Sequence, residues 1–151
     1  MAEANLTALY QDLILDHYHR PRNKGVLERA DTVVTMKNPL CGDEIELQLE
    51  FDGTTIRDVK FTGQGCSISQ ASTSMMTDLV KGKDEVEIEQ LRKAFRAMVM
   101  GDSKAEADVT LGKMRALSGV SKFPARVKCA LLGWNALEEG VDRHRENTDD
   151  V

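Results

Sequence analysis

Three cysteines and one aspartate are the residues of this chain whose types and spacing could do chemistry. Cys41 is followed two positions later by Asp43, where an alternating apolar and polar segment begins. Residues two apart on a β-strand point to the same face, so this thiol and this carboxylate can converge on one metal ion. The alternative is a turn before a strand, with the acid solvated and the thiol buried.

The other two cysteines lie where a predicted helix begins. Cys66 follows the glycines of GQG, and the N–H groups at a helix N-terminus favour its thiolate form. Cys129 has Lys128 beside it and Arg126 three residues before it, and positive neighbours also favour thiolate. Three sulfurs and one oxygen form a tetrahedral set that zinc accepts. The chain has no CxxC pair, so spacing alone leaves unrelated buried thiols as an open alternative.

Bulk composition limits the class of protein. A length of 151 residues suits one domain, which we expect over residues 1–141, followed by a polar C-terminal tail over 142–151 in which His144 is solvated. A net charge of -5 with dispersed basic residues argues against a nucleic-acid partner. No apolar run reaches the length of a membrane span, and the start of the chain does not resemble a secretory signal. An odd number of cysteines then favours reduced thiols in the cytoplasm.

Hydrophobic periodicity predicts a helix, three strands and further helices. The first helix covers residues 5–19 and stops near Pro21. The strands cover 32–36, 44–51 and 55–62, and Asp52 with Gly53 forms the hairpin turn between the last two. Ile56 has the opposite parity to Val59, so a bulge is expected near Arg57 or Asp58.

Helical patterns fill the second half of the chain. A stripe after Gly65 ends near Gly82, a second runs from Ile88 to Val99, and the last begins near Pro124. Between them, residues 101–122 are mixed, with a short helix expected over 111–117. The order predicts an α+β fold: a three-stranded antiparallel sheet with helices packed on it.

Four stretches of the chain resemble the U-type proteins of iron–sulfur cluster assembly, the IscU/NifU-N-like family. They are LYQDLILDHYHRPRNKG, NPLCGDEIEL, FTGQGCSISQASTSMM and FPARVKCALLGW. Within the family the chain is most similar to the SufU branch. Lys128 occupies the position where the IscU scaffold branch carries a histidine, and LGKMRALSGVSKFPAR resembles the SufU insertion.

The resemblance implies a function and a set of site residues. Zinc would be bound by Cys41, Asp43, Cys66 and Cys129, with Cys41 as the thiol that accepts persulfide sulfur. The donor would be a SufS-type cysteine desulfurase, a pyridoxal-phosphate enzyme whose own cysteine carries the persulfide and whose histidine replaces Cys41 on the zinc. Arg126 matches an arginine close to the metal site. Sulfur would then pass to downstream iron–sulfur scaffold proteins.

Alternatives remain open at this stage. The same four residues could hold a 2Fe–2S cluster on a non-catalytic scaffold, or zinc could be purely structural. Whether the chain counts as an enzyme, as a sulfurtransferase-like persulfide acceptor, is not decided by its sequence. His17 is expected to pack the end of the first helix and His19 to be exposed, although this helix could also dock the desulfurase. Lys128 could offset the charge of the site or face water.

Overall fold

The computed structural model describes residues 2–39 and 42–149, and it confirms the α+β class. Its elements in chain order are α1 (Ala2–His19), β1 (Thr32–Asn38), β2 (Asp43–Asp52), β3 (Thr55–Gln64), α2 (Ser67–Val80), α3 (Glu85–Val99), α4 (Ser103–Glu106), a 3₁₀ segment (Val109–Lys122) and α5 (Pro124–Asp149). The predicted ends at Pro21 and Pro124 are confirmed, because α1 stops before the first and α5 starts at the second. Within the described residues, none of the helices has the length and apolar character needed to cross a membrane.

The sheet is antiparallel in the order β1-β2-β3, and its bulge lies where parity predicted it. Glu50 pairs with Asp58, whereas Phe51 pairs with Ile56, so Arg57 is the extra residue on β3. The extra residue reverses the alternation of side chains along β3. Ile56 before the bulge and the apolar residues after it therefore point to the same face of the sheet, and all are buried.

Helix α2 lies at the centre of the molecule and carries an unusual number of buried hydroxyl groups. It packs against α1, α5, β3 and the 3₁₀ segment. Ser72, Thr73, Ser74 and Thr77 are all fully buried. Each donates or accepts a hydrogen bond, so none of these hydroxyls is buried at the cost of an unmade bond. The apolar stripe predicted from the sequence thus describes only part of the buried surface of α2.

The C-terminal end of α5 is largely exposed, as the polar sequence predicted, but two of its side chains contact the sheet and its hairpin turn. The helix continues to Asp149, and the His144 ring stacks on Phe51 with their centroids 3.8 Å apart. His144 Nε2 donates to the carbonyl of Gly53 at 2.9 Å, and Arg143 donates to the carbonyl of Val33 at 3.2 Å. His144 is therefore half-buried and anchored to the sheet end rather than fully solvated, while the domain boundary at residue 141 stays a prediction.

His17 ties the end of α1 to α2. Its ring is fully buried, as expected, whereas His19 is exposed. The ring Nδ1 lies 2.8 Å from Ser74 Oγ, and the same oxygen accepts the Arg22 backbone N–H at 2.8 Å. Burial, followed by the positive charge of Arg22, holds the pKa of His17 below its ordinary value.

This burial predicts a loss of stability in mild acid. The pKa of His17 is lower in the folded than in the unfolded chain, so the unfolded chain takes up the proton first. The free energy of unfolding keeps the full benefit of the neutral His17 ring above about pH 6.5, the unfolded pKa. This benefit is lost as the pH falls from there towards the folded pKa. Asp16 and Asp78 oppose the shift and Lys113 supports it, but burial dominates. Urea unfolding at about pH 7 and about pH 5 measures the loss.

His17→Asn is the control for this prediction, because its amide can still bond Ser74 without titrating. Its free energy of unfolding should change less between the two pH values than that of the wild type. Equal changes in both proteins would contradict the assignment to His17.

Candidate metal centre

Asp43, Cys66 and Cys129 come together from three separate elements. One carboxylate oxygen and the two sulfurs all lie within 4.8 Å of one another. Asp43 is the first residue of β2, Cys66 immediately precedes the first residue of α2, and Cys129 lies in the second turn of α5. Asp43 and Cys129 are each 1% exposed, and Cys66 is half-buried. The cluster is therefore mostly shielded from water but open on the side of Cys66.

Cys41, the fourth residue of the predicted set, lies outside the described residues. Its neighbour Gly42 is in the left-handed region with φ 69°, and its N–H donates to the Asn38 carbonyl at 3.0 Å. Since β2 begins only at Asp43, strand alternation does not place Cys41 and Asp43 on one face. Its assignment rests on the family resemblance.

Asp43 is a buried carboxylate with a fixed orientation, not a solvated turn acid. Its Oδ1 accepts the backbone N–H of Cys66 at 2.8 Å. Its Oδ2 lies 3.7 Å from Cys66 Sγ. A buried carboxylate is costly unless it is paired or binds a metal. The hydrogen bond holds one oxygen against the start of α2 and turns the other towards the sulfur.

Gly65 makes this contact possible. Its φ is +142°, which side-chain-bearing residues rarely adopt, and a Cβ at this position would overlap Asp43 Oδ1 and lie 2.9 Å from Asp43 Cα. Sequence reasoning read the GQG glycines as a tight turn and missed this close approach. An isolated cluster of glycines before a cysteine was the available signal, since such residues often mark close backbone contacts.

The two cysteines are held by the packing of α2 against α5. Ser72 Oγ donates to the carbonyl of Ala130 at 2.7 Å, so one hydrogen bond joins the helices one residue beyond Cys129. The Cys129 thiol lies 3.7 Å from the Ala125 carbonyl of its own helix. Ser72 could not be singled out from the sequence, because a serine in a helix pattern has no signature that reveals an interhelical bond.

The donor set fits a zinc ion. Tetrahedral bonds of about 2.3 Å to sulfur and about 2.0 Å to oxygen place neighbouring ligand atoms about 3.5 Å apart. The separation of 3.7 Å between Cys66 Sγ and Asp43 Oδ2 meets that requirement. Thiolates with one carboxylate suit zinc, and thiolates also suit iron–sulfur clusters. These residues could therefore hold a metal ion, with a fourth ligand still to be supplied.

Arg126 and Lys128 precede Cys129 on the first turns of α5, and both are exposed. Arg126 lines a groove of about 720 Å³ together with Ser67 and Ile68, the two residues that follow Cys66. The groove therefore reaches the first turn of α2, which follows Cys66 in the chain, but Asp43, Cys66 and Cys129 do not line it. A thiolate-rich centre carries excess negative charge, and an exposed cation on the first turn of α5 attracts anionic groups towards this end of the helix.

Comparison with known proteins places these observations in a family. Residues 9–130 match the NifU-like N-terminal domain. The zinc-dependent sulfurtransferase SufU of Bacillus subtilis is 53% identical over 138 residues, which cover 91% of this chain and 92% of that protein. The scaffold protein IscU of Streptococcus pyogenes is 45% identical, covering 95% and 89%. The crystal structure of a NifU-like N-terminal protein from Brucella abortus superposes with a TM-score of 0.83 at 25% identity, covering 91% and 94%.

Proposed function

Since the chain belongs to the family of the NifU-like N-terminal domain, we propose that it is a zinc-binding sulfur-transfer protein of iron–sulfur cluster assembly. Its partner is a SufS-type cysteine desulfurase, and its sulfur passes on to iron–sulfur scaffold proteins. The proposed location of the protein is the cytoplasm. The 53% identity to a zinc-dependent sulfurtransferase over most of both chains supports this function.

The observation that carries the proposal is the convergence of Asp43, Cys66 and Cys129 within 4.8 Å. With Cys41 they supply three sulfurs and one oxygen to zinc. When bound there, zinc keeps the thiols deprotonated at neutral pH and restrains their nucleophilicity. A purely structural site is closed by its ligands, whereas here Cys66 is only half-buried.

Cys41 is the residue that accepts sulfur. Its thiolate attacks the outer sulfur of the persulfide on the desulfurase. A new sulfur–sulfur bond forms on Cys41, the old one breaks, and the cysteine of the desulfurase leaves as a thiolate. The transferred sulfur keeps its oxidation state, so the step needs no external oxidant or reductant.

Arg126 attracts the incoming persulfide, which is anionic at neutral pH. Its exposed position on the first turn of α5 and its place in the groove beside Ser67 support this role. Lys128 carries a second positive charge on the same turns. Two cations here act against the net charge of -5 of the whole chain and favour approach of an anion at this face.

Turnover of a SufS-type cysteine desulfurase tests the function. The zinc-loaded protein should stimulate the desulfurase, stripping the zinc with a chelator should remove the stimulation, and added zinc should restore it. Asp43→Ala should lose the stimulation together with zinc affinity, while Asp142→Ala, an exposed acid on α5, should keep both. Stimulation that survives complete removal of zinc would contradict the proposal.

A scaffold function is the second candidate, and the 45% identity to an IscU scaffold protein favours it. In that case the cysteines and Asp43 hold a 2Fe–2S cluster and transfer it to another protein. Anaerobic reconstitution with iron and sulfide separates the two functions. A stable cluster that moves to an acceptor protein supports the scaffold function. If no cluster forms, the result counts against the scaffold function.

A further inference from the structure

Helices α2 and α5 approach each other closely at Thr73 and Gly133. A Cβ at Gly133 would overlap Thr73 Oγ1 and would lie 3.1 Å from its Cβ and 3.2 Å from its Cγ2. Thr73 is fully buried, and its hydroxyl donates to the Ser69 carbonyl at 2.9 Å, so the side chain is fixed in place. The two helices therefore pack at a separation that allows only a hydrogen at residue 133.

This close approach and the two thiols lie on the same helix faces. Cys129 and Gly133 are four residues apart on α5, and residues at that spacing lie one above the other. Cys66 and Thr73 are seven residues apart at the start of α2, again on one side of the helix. The thiols are thus brought together at one end of an interhelical contact, and the Thr73–Gly133 pair lies further along it. A glycine inside a helical pattern often has such a packing reason.

We propose that Gly133 and Thr73 are positioning residues of the metal centre, setting the distance between Cys66 and Cys129 through the separation of their helices. The inference rests on the proposed zinc centre. The hydrogen bond from Ser72 to the Ala130 carbonyl lies between the two pairs and keeps the helices in register. A change at the Thr73–Gly133 pair is therefore passed to the sulfur atoms as a change in helix spacing.

Gly133→Ala tests the proposal. Alanine ordinarily stabilises a helix relative to glycine, so any loss comes from the conflict with Thr73. We expect zinc affinity, measured by competition with a chromophoric chelator, to fall about 10- to 100-fold, as for other changes around metal ligands. The d–d absorption of the cobalt-substituted protein should shift as well, which a change in overall stability would not produce.

Gly140→Ala is the matched control on the same helix. Its Cβ would meet Leu49 Cδ1 at 2.5 Å, so it disturbs packing against the sheet but not against α2. Its zinc affinity should stay within about twofold of wild type. Thr73→Ala in the Gly133→Ala background removes Oγ1 and Cγ2 and leaves only the Cβ contact at 3.1 Å, so most of the lost affinity should return.

The outcomes separate this inference from the proposed function. Wild-type protein that binds no zinc would overturn the proposed function. If the wild type binds zinc and Gly133→Ala binds it equally well, only the positioning role is wrong. A double variant as weak as Gly133→Ala alone would also overturn it, because the loss would then not come from the overlap with Thr73 Oγ1.

Discussion

Replacing Cys41 by alanine should abolish sulfur uptake from the desulfurase. Persulfide transfer needs a thiolate that attacks the outer sulfur, and alanine offers no nucleophile. We expect the rate to fall to background, by about 100-fold or more. Mass spectrometry after a single turnover and alkylation measures the result, since the wild-type peptide that contains Cys41 should carry one additional sulfur atom.

Lys37→Ala is the matched control on the strand that precedes Cys41. The Lys37 side chain is exposed and pairs with Glu44 only at 3.9 Å, which contributes little to stability. Its sulfur uptake should stay within about twofold of wild type. Additional sulfur on Cys66 or Cys129 of the Cys41→Ala protein, at a rate close to that of wild type, would contradict the assignment of the acceptor thiol.

The sheet could be predicted from the sequence because its determinants are local. The parity change between Ile56 and Val59 located the bulge, and the structure makes Arg57 the extra residue. Alternation in β2 gave its buried face, and a proline marked the start of α5. Each of these signals spans only a few residues, within which the period of a strand or helix decides the orientation of side chains.

The contacts that define the site could not be predicted, because they join distant parts of the chain. The burial of Asp43 depends on the backbone of Cys66, 23 residues away. His144 reaches the Gly53 carbonyl across 91 residues, although the polar sequence around it is typical of a solvated helix. In both cases a side chain forms a hydrogen bond with a backbone group. Nearly every residue type carries the same backbone groups, so the sequence does not reveal which one is the partner.

The set of metal ligands could be predicted from the sequence only in part. Cys66 and Cys129 were singled out by their positions at helix starts, which the structure shows. Residue types and positions suggested that they share a site with Cys41 and Asp43, but only the family resemblance favoured that site over unrelated buried thiols. The residues that hold the ligands, Ser72 among them, follow from the packing of α2 and not from any motif.

Gly65→Ala should destabilise both the fold and the metal centre. The methyl group requires a φ of +142°, which costs an L-residue energy, and it overlaps Asp43 Oδ1 and crowds the Asp43 backbone. Strain and overpacking together are expected to lower the free energy of unfolding by about 2 to 5 kcal/mol. Asp43 must also leave the Cys66 N–H, so the fixed orientation of its second oxygen is lost. Denaturant unfolding and zinc competition measure the two effects.

Gly82→Ala separates backbone strain from the steric conflict. Gly82 also has a positive φ, +86°, but a Cβ there would have no atom within 4 Å. It should lose only about 1 kcal/mol of stability and keep its zinc affinity. Gly65→Ala should also cost less in an Asp43→Ala background, because the overlapping carboxylate is gone while the crowding at Cα remains. Equal costs in both backgrounds would show that Gly65 serves the turn alone, and the orientation of Asp43 would then depend on the Cys66 N–H and not on the glycine.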